Sequence, residues 1–263
     1  MKKNSFTEIL ANARSDGNDS CYFITDNWLQ GRTMYGGLSA ALCLHAANRH
    51  YESLPPLRSA LFSFTGPAKG EVRAKVRMLR QGKSVSFVEV ELHGDKGLAT
   101  HVVLSFGAAR ASRLDKDFTQ AVALPERDKC LSLDNPAKQP VFAAEFETYL
   151  AEGDPPLSGS DKHKTKLWIR HRDEAATDLV ALLGVADMPP PAVLQMFETA
   201  APVSSMTWSM NFLLDDFNTA DRWWLLESIA EHARDGYSSQ DMQVWNSDGQ
   251  LVISARQNVA VFY

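Results

Sequence analysis

The feature that most narrows what this chain folds into is one pattern of periodicity written twice. Four segments with strand character, Leu57 to Thr65, Val72 to Arg80, Ser84 to His93 and Leu98 to Ala108, are separated by GPAKG, RQGK and GDKG, each a short turn containing glycine. Ahead of them, from Tyr35, the positions Leu38, Ala41, Leu42, Leu44, His45 and Ala46 fall at helical spacing until Asn48 to Pro56 end the run. After residue 164 the order returns: strand-like TKLWIRHR, helical EAATDLVALLGVADM, a break at PPPAVLQMF, then strands Ser204 to Leu214, Arg222 to Ala233, Tyr237 to Asn246 and Gln250 to Phe262. The turns RDG and NSDG separate the last of them. Helix plus meander, twice, predicts two similar α+β halves: residues 1–110, a linker with local structure at 111–163, and residues 164–263.

Within the linker, NPAKQP and GDPPLSGSDKHK are charged and proline-bearing, and only Phe142 to Leu150 is periodic. A hydrophobic share of 44% supplies ample core. The net charge of -5 and the lack of a Lys/Arg-rich face speak against nucleic acid as partner. Neither a bilayer-spanning apolar run nor a secretory leader is visible, so a cytoplasmic location without membrane association is expected. Three widely spaced cysteines, Cys21, Cys43 and Cys130, suggest neither a disulfide framework nor a zinc site, and the histidines show no HxH or HExxH spacing, so no metal is expected. GxxxxGK[ST] and GxGxxG are both missing.

A few positions break the apolar pattern. In the last strand the row Leu251, Ile253, Ala255, Gln257, Val259 and Val261 carries one amide, which once buried needs a partner: a bound water, a ligand or neighbouring backbone. Asp187 precedes three prolines and reads either as a turn or capping residue or as a functional carboxylate. Gly36 and Gly37 open the first helix, serving a tight turn or a close approach of ligand to backbone. Ser39 lies in a faint nucleophile-elbow pattern on a small-residue helix, where packing is the simpler role. His232 falls in the row Trp224, Leu226, Ser228 and Ala230, as a core-edge residue or an acid–base group. Trp223 and Trp224 read as core and interface material.

Three stretches taken in order resemble the tandem hotdog acyl-CoA thioesterases of the thioesterase II type: Gln30, Gly31, Arg32, Tyr35, Gly36 and Gly37 running into LSAALCLHAA; Arg80, Gly82 and Ser84; and DGQLVISARQNVAVF. The resemblance implies a double hotdog, in which an antiparallel sheet wraps a long helix in each half. It implies hydrolysis of an acyl-CoA or related acyl thioester by direct water attack, without a cofactor. Asp187, a hydroxyl at Ser205 or Thr207, and Gln257 would hold the water, whereas Tyr35, Gly36 and Gly37 would lie on the substrate side, a glycine N–H polarising the carbonyl. A homodimer is also implied. Two other readings of the fold are a non-catalytic acyl-thioester binding protein and a hydratase or dehydratase of enoyl- or hydroxyacyl-CoA. The last needs an Asp and a His near Gly-Asp-x-Asn-Pro-x-His, and the chain has no such stretch.

Overall fold

A computed structural model describes residues 3–120, 122–135, 139–219 and 221–263. Among these residues are three α-helices, α1 (Phe6–Ala11), α2 (Gly36–His50) and α3 (Leu179–Ala186). The strands of the first half are β1 (Arg14–Asp16), β2 (Asp19–Ile24), β3 (Leu29–Gln30), β4 (Thr33–Met34), β5 (Leu57–Phe64), β6 (Gly70–Gln81), β7 (Val85–Gly94) and β8 (Gly97–Gly107). Those after it are β9 (Leu131–Ser132), β10 (Phe146–Glu152), β11 (Lys164–His171), β12 (Val203–Phe212), β13 (Trp224–Arg234), β14 (Tyr237–Trp245) and β15 (Leu251–Val261).

Thirteen strands join in one sheet, ordered β1-β2-β6-β7-β8-β5-β12-β15-β14-β13-β11-β10-β9, while β3 and β4 form a separate ribbon. The seam between halves is the antiparallel pair β5 and β12, from Ser63 opposite Thr207 to Ser59 opposite Asn211. One face of this sheet packs on α2 and α3, with Val88, Val90, Val102 and Leu104 of the first half wholly buried. Helix α2 is buried nearly all round, and its small residues Ala40, Ala41, Cys43, Ala46 and Ala47 let strands and α3 approach its axis. Ser39 belongs to this packing, its hydroxyl 2.8 Å from that of Thr100. The β13–β14 hairpin turns on Asp235 and Gly236, both at positive φ (54° and 80°), the two-residue turn whose twist matches the strands.

The segment 111–163 contributes more than the periodicity suggested. Strands β9 and β10 lie within it, β10 extending the sheet beside β11 through Phe146 opposite His171 to Leu150 opposite Leu167. Upstream of them the chain crosses the outer face of the sheet: Val122 and Leu124 pack on Trp168, Trp223, Leu225 and Trp245, and Trp168 Nε1 donates to the Pro125 carbonyl at 3.0 Å. Arg127 and Arg170 stack on the Trp223 ring at 4.7 and 4.6 Å. Alternation along β13 explains the tryptophan pair, since Trp224 enters the main core while Trp223 anchors this outer cover. Helix α1 and strands β1 and β2, too short to stand out in the sequence, were not anticipated. Among the described residues no helix is long and apolar enough to cross a membrane.

Candidate active site

Helix α3 ends because Met188 is followed by three prolines, and Asp187 is its C-terminal cap residue, its N–H bonded to the Val185 carbonyl. From there its carboxylate reaches the start of α2. That helix begins at Tyr35 without any side-chain cap of its own, leaving first-turn N–H groups to be satisfied from elsewhere. The Gly37 N–H faces the Asp187 carboxylate and favours its charged form. Gly36 makes the approach possible: a Cβ there would lie 2.6 Å from Asp187 Oδ2. Both glycines have ordinary helical φ, so close approach, not a turn, accounts for the pair. Of the two glycine N–H groups that the resemblance offers to the substrate carbonyl, that of Gly37 thus faces a carboxylate from the other half.

Asp187 Oδ1 accepts a hydrogen bond from Gln257 Nε2 at 2.9 Å. Burial pushes the Asp187 carboxyl up to about 7, against the opposing pull of the Gln257 and Gly37 donors. The site therefore holds a carboxyl group that titrates near neutrality, the condition for a general base.

The register of the sheet sets what surrounds it. Ala230, Gln240, Gln257 and Trp208 stand opposite one another across β13, β14, β15 and β12, forming one inward row. Gln240 is completely buried; its Oε1 accepts the Ala192 N–H at 3.0 Å and its Nε2 donates to Gln257 Oε1 at 2.9 Å. Sequence reasoning passed over Gln240, although the alternation of Ser238, Gln240, Met242 and Val244 carries the same signal as that of Gln257. Trp208 Nε1 is buried beside Gln257 and has no hydrogen-bond partner among the described residues.

In the next inward row, Ser205 and Ser238 flank Val259. Between Ser205 and Thr207 the register shifts by a bulge at Met206. Two-residue spacing predicted one shared face for Ser205 and Thr207; the bulge instead puts Ser205 on the inner face and Thr207 on the exposed outer face, opposite Asn258 and Ser63. A second bulge, between Ala230 and His232, removes His232 from the row of Trp224 in the same way and leaves it exposed.

Tyr35 is 1% exposed, stacks on Phe142 at 4.0 Å, and donates its hydroxyl to the Gly184 carbonyl in the last turn of α3 at 2.7 Å. Its ring lies where a Cβ on Gly37 would fall, at 2.6 Å. It clamps the two helix ends rather than lining an open surface. Burial and the Asp187 charge raise its phenol far above the ordinary range. His171, also buried, is held neutral by desolvation, which lowers it to about 4, and it pairs with the Ala181 carbonyl at 3.0 Å. Its charged neighbours are Asp173 and Asp178, not Asp187, so no Asp–His pair forms at the site. Among the described residues no cluster of three His, Cys, Asp or Glu side chains has metal-binding geometry.

An antiparallel sheet wrapped on two helices, with the two halves meeting at a carboxylate, is a double hotdog. The chain belongs to the acyl-CoA thioesterase family: the family's N-terminal domain model matches residues 24–107 and its C-terminal domain model residues 125–261. Among solved structures, a conserved hotdog protein of unknown function from Alicyclobacillus acidocaldarius is 21% identical with a TM-score of 0.87, covering 100% of this chain and 99% of its own. An acyl-CoA thioesterase II from Mycobacterium marinum is 21% identical with a TM-score of 0.75, covering 98% of each chain. The tesB protein of Mycobacterium avium subspecies paratuberculosis, 16% identical with a TM-score of 0.76, covers 97% of this chain and 99% of its own. At these identities the likeness concerns the fold. No curated protein is matched by the sequence.

Proposed function

We propose that the chain hydrolyses acyl-CoA or closely related acyl thioesters by direct water attack at Asp187. The observation that carries this reading is the placement of one half-buried carboxyl, pushed up to about 7 by desolvation, between a Gln257 N–H from the second half and a Gly37 N–H from the first. Asp187 takes a proton from water as the water oxygen bonds to the thioester carbonyl carbon. Ser205, on the same inner face, and Gln257 orient that water. The tetrahedral intermediate then collapses, the C–S bond breaks, and the departing thiolate receives the proton from Asp187. The products are a carboxylic acid and a thiol.

The oxyanion needs stabilisation only after the proton has moved. As Asp187 becomes neutral it releases its hold on the Gly37 N–H, and the positive end of α2 then faces the developing charge. One N–H thereby serves the base before proton transfer and the oxyanion after it.

Purified protein offered short, medium and long acyl-CoAs should release thiol from at least one of them. Absence of release at every chain length rejects the reading. A single turnover in ¹⁸O-labelled water, with enzyme in excess, distinguishes its mechanism: direct attack puts the label in the first acid released, whereas attack by the carboxylate, with the anhydride then opened by water at the Asp187 carbonyl, puts it in the enzyme and leaves that acid unlabelled.

A further inference from the structure

We propose that Gln240 is a positioning residue for this site, fixing through its own amide which end of the Gln257 side chain faces Asp187. A glutamine amide has two nearly isosteric orientations, and only one of them presents a donor. Nothing in Gln257 itself selects it. Selection comes from a chain of bonds that ends on backbone, where no flip exists.

The Ala192 N–H donates to Gln240 Oε1, which leaves Gln240 Nε2 facing β15 as a donor. Gln257 must answer with its oxygen, at 2.9 Å, so its Nε2 is turned to Asp187 Oδ1, also at 2.9 Å. Gln240 is 0% exposed and Gln257 3%, so bulk water does not compete for the bond between them. Ala192 is not an arbitrary anchor. Residues 189–191 are all proline and have no N–H, and the Met188 N–H is taken by the Val185 carbonyl. Ala192 carries the first free amide after the catalytic carboxylate, at the far end of a stiff three-proline segment. The ring closes from Asp187 along the prolines to Ala192, across to Gln240 and Gln257, and back.

The surroundings leave the donor end of Gln257 as a principal control on Asp187. Tyr35, from the chain entering α2, is the titratable group that feels the Asp187 charge, and it stays protonated. His171, behind α3 on β11, is neutral. Across the inner face, β12 presents Trp208 and Ser205, β5 Phe64, β14 Gln240 and Ser238, and β15 Gln257, none of them charged. Reversing the Gln257 amide replaces a donor by an acceptor and favours the protonated acid.

Substituting Gln240→Glu keeps the shape and, in its ionised form, offers only acceptors to its neighbours, which turns Gln257 Nε2 toward β14 and its oxygen toward Asp187. Gln240→Leu removes the constraint and leaves Gln257 free. This assignment rests on the hydrolytic reading for its kinetics, but the Asp187 titration is measured without substrate, from the ¹³C resonance of its carboxyl carbon, assigned with Asp187→Asn. We expect Asp187 to titrate about one pH unit or more higher in Gln240→Glu and by a smaller upward shift in Gln240→Leu. The acid limb of kcat/KM should move by the same amounts, with the rate recovered at high pH. Folded variants of both kinds, judged by circular dichroism, that leave the Asp187 titration unchanged overturn the assignment. Shifted titration in a protein without thioesterase activity upholds the relay and rejects only the hydrolytic reading.

Discussion

The two halves of the sheet share their bulges yet differ in what they bury. In the first half a bulge after Met78 and another after Leu57 bring Met78, Val88, Leu104 and Ala60 into one inward row. In the second, bulges after Ala230 and Ser205 place Ala230, Gln240, Gln257 and Trp208 in the corresponding row. One row further, Ser86, Phe106 and Leu57 match Ser238, Val259 and Ser205. The cap residue closing the helix is Tyr51 in one half and Asp187 in the other. The same backbone therefore closes around Val88 and Leu104 without amides. Burying Gln240 and Gln257 risks about 1–3 kcal/mol for each group left unpaired, so the fold alone gives no reason for them.

The helix starts differ in the opposite sense. Helix α3 caps itself, Asp178 accepting the Ala181 N–H at 2.9 Å. Helix α2 opens with Gly36 and Gly37 and depends on Asp187 of the other half. One half has kept a bare helix terminus and the other a polar row; each lacks what its counterpart provides, so the repeat builds one site of this kind instead of two.

Grafting the first row onto the second, as Gln240→Val with Gln257→Leu, should sharpen this comparison most. Turnover is expected to fall by about 10³-fold, the order of general-base assistance, because Asp187 loses its donor and stays protonated. At pH 5, where that carboxyl is already protonated, Tm should stay within about 5 °C of the parent, since the equivalent residues fit this register in the first half. Next comes Gly36→Ala, whose new methyl group must displace the Asp187 carboxylate. A shift approaching 1 Å at that group should lower kcat/KM by about 10²-fold. Ser205→Ala is expected to cost about 10-fold in kcat/KM, a single neutral hydrogen bond to the water, while Thr207→Ala on the outer face leaves the rate unchanged. Equal effects at both positions would contradict the bulge at Met206.

A separate effect concerns stability. The folded-state carboxyl of Asp187 is raised from 3.8 to about 7, so the folded state resists losing this proton and stability falls as pH climbs through that window. Chemical denaturation of Asp187→Asn at pH 8 should give an unfolding free energy about 4 kcal/mol above the parent, the difference vanishing below pH 4.

Periodicity and glycine turns made the repeated helix and meanders legible, because a buried strand face and a wrapped helix impose their periods directly on sequence. Gln257 was legible for the same reason, as an amide in an apolar row. Gln240 offered an equal signal in a strand whose serines obscured it. The bulges at Met206 and Glu231 left no mark, since one inserted residue has no composition of its own yet reverses every face beyond it; Thr207 and His232 were misplaced for that reason. The engagement of the Gly37 N–H by Asp187 was equally hidden, because each residue looks locally sufficient, one as a helix start and the other as a turn before proline. Strand β10 showed its alternation of Phe146, Thr148 and Leu150, but a seven-residue strand inside a proline-rich connection resembles the connection more than the sheet.

The most direct test is the pH dependence of kcat/KM for thiol release from an acyl-CoA, measured for the parent and for Asp187→Asn. A half-buried general base raised to about 7 requires the parent rate to climb with pH and reach half its plateau near 7, and the variant to fall about 10³-fold with that limb gone. An acid limb near 4, or a variant that turns over at the parent rate, would contradict a site built on Asp187.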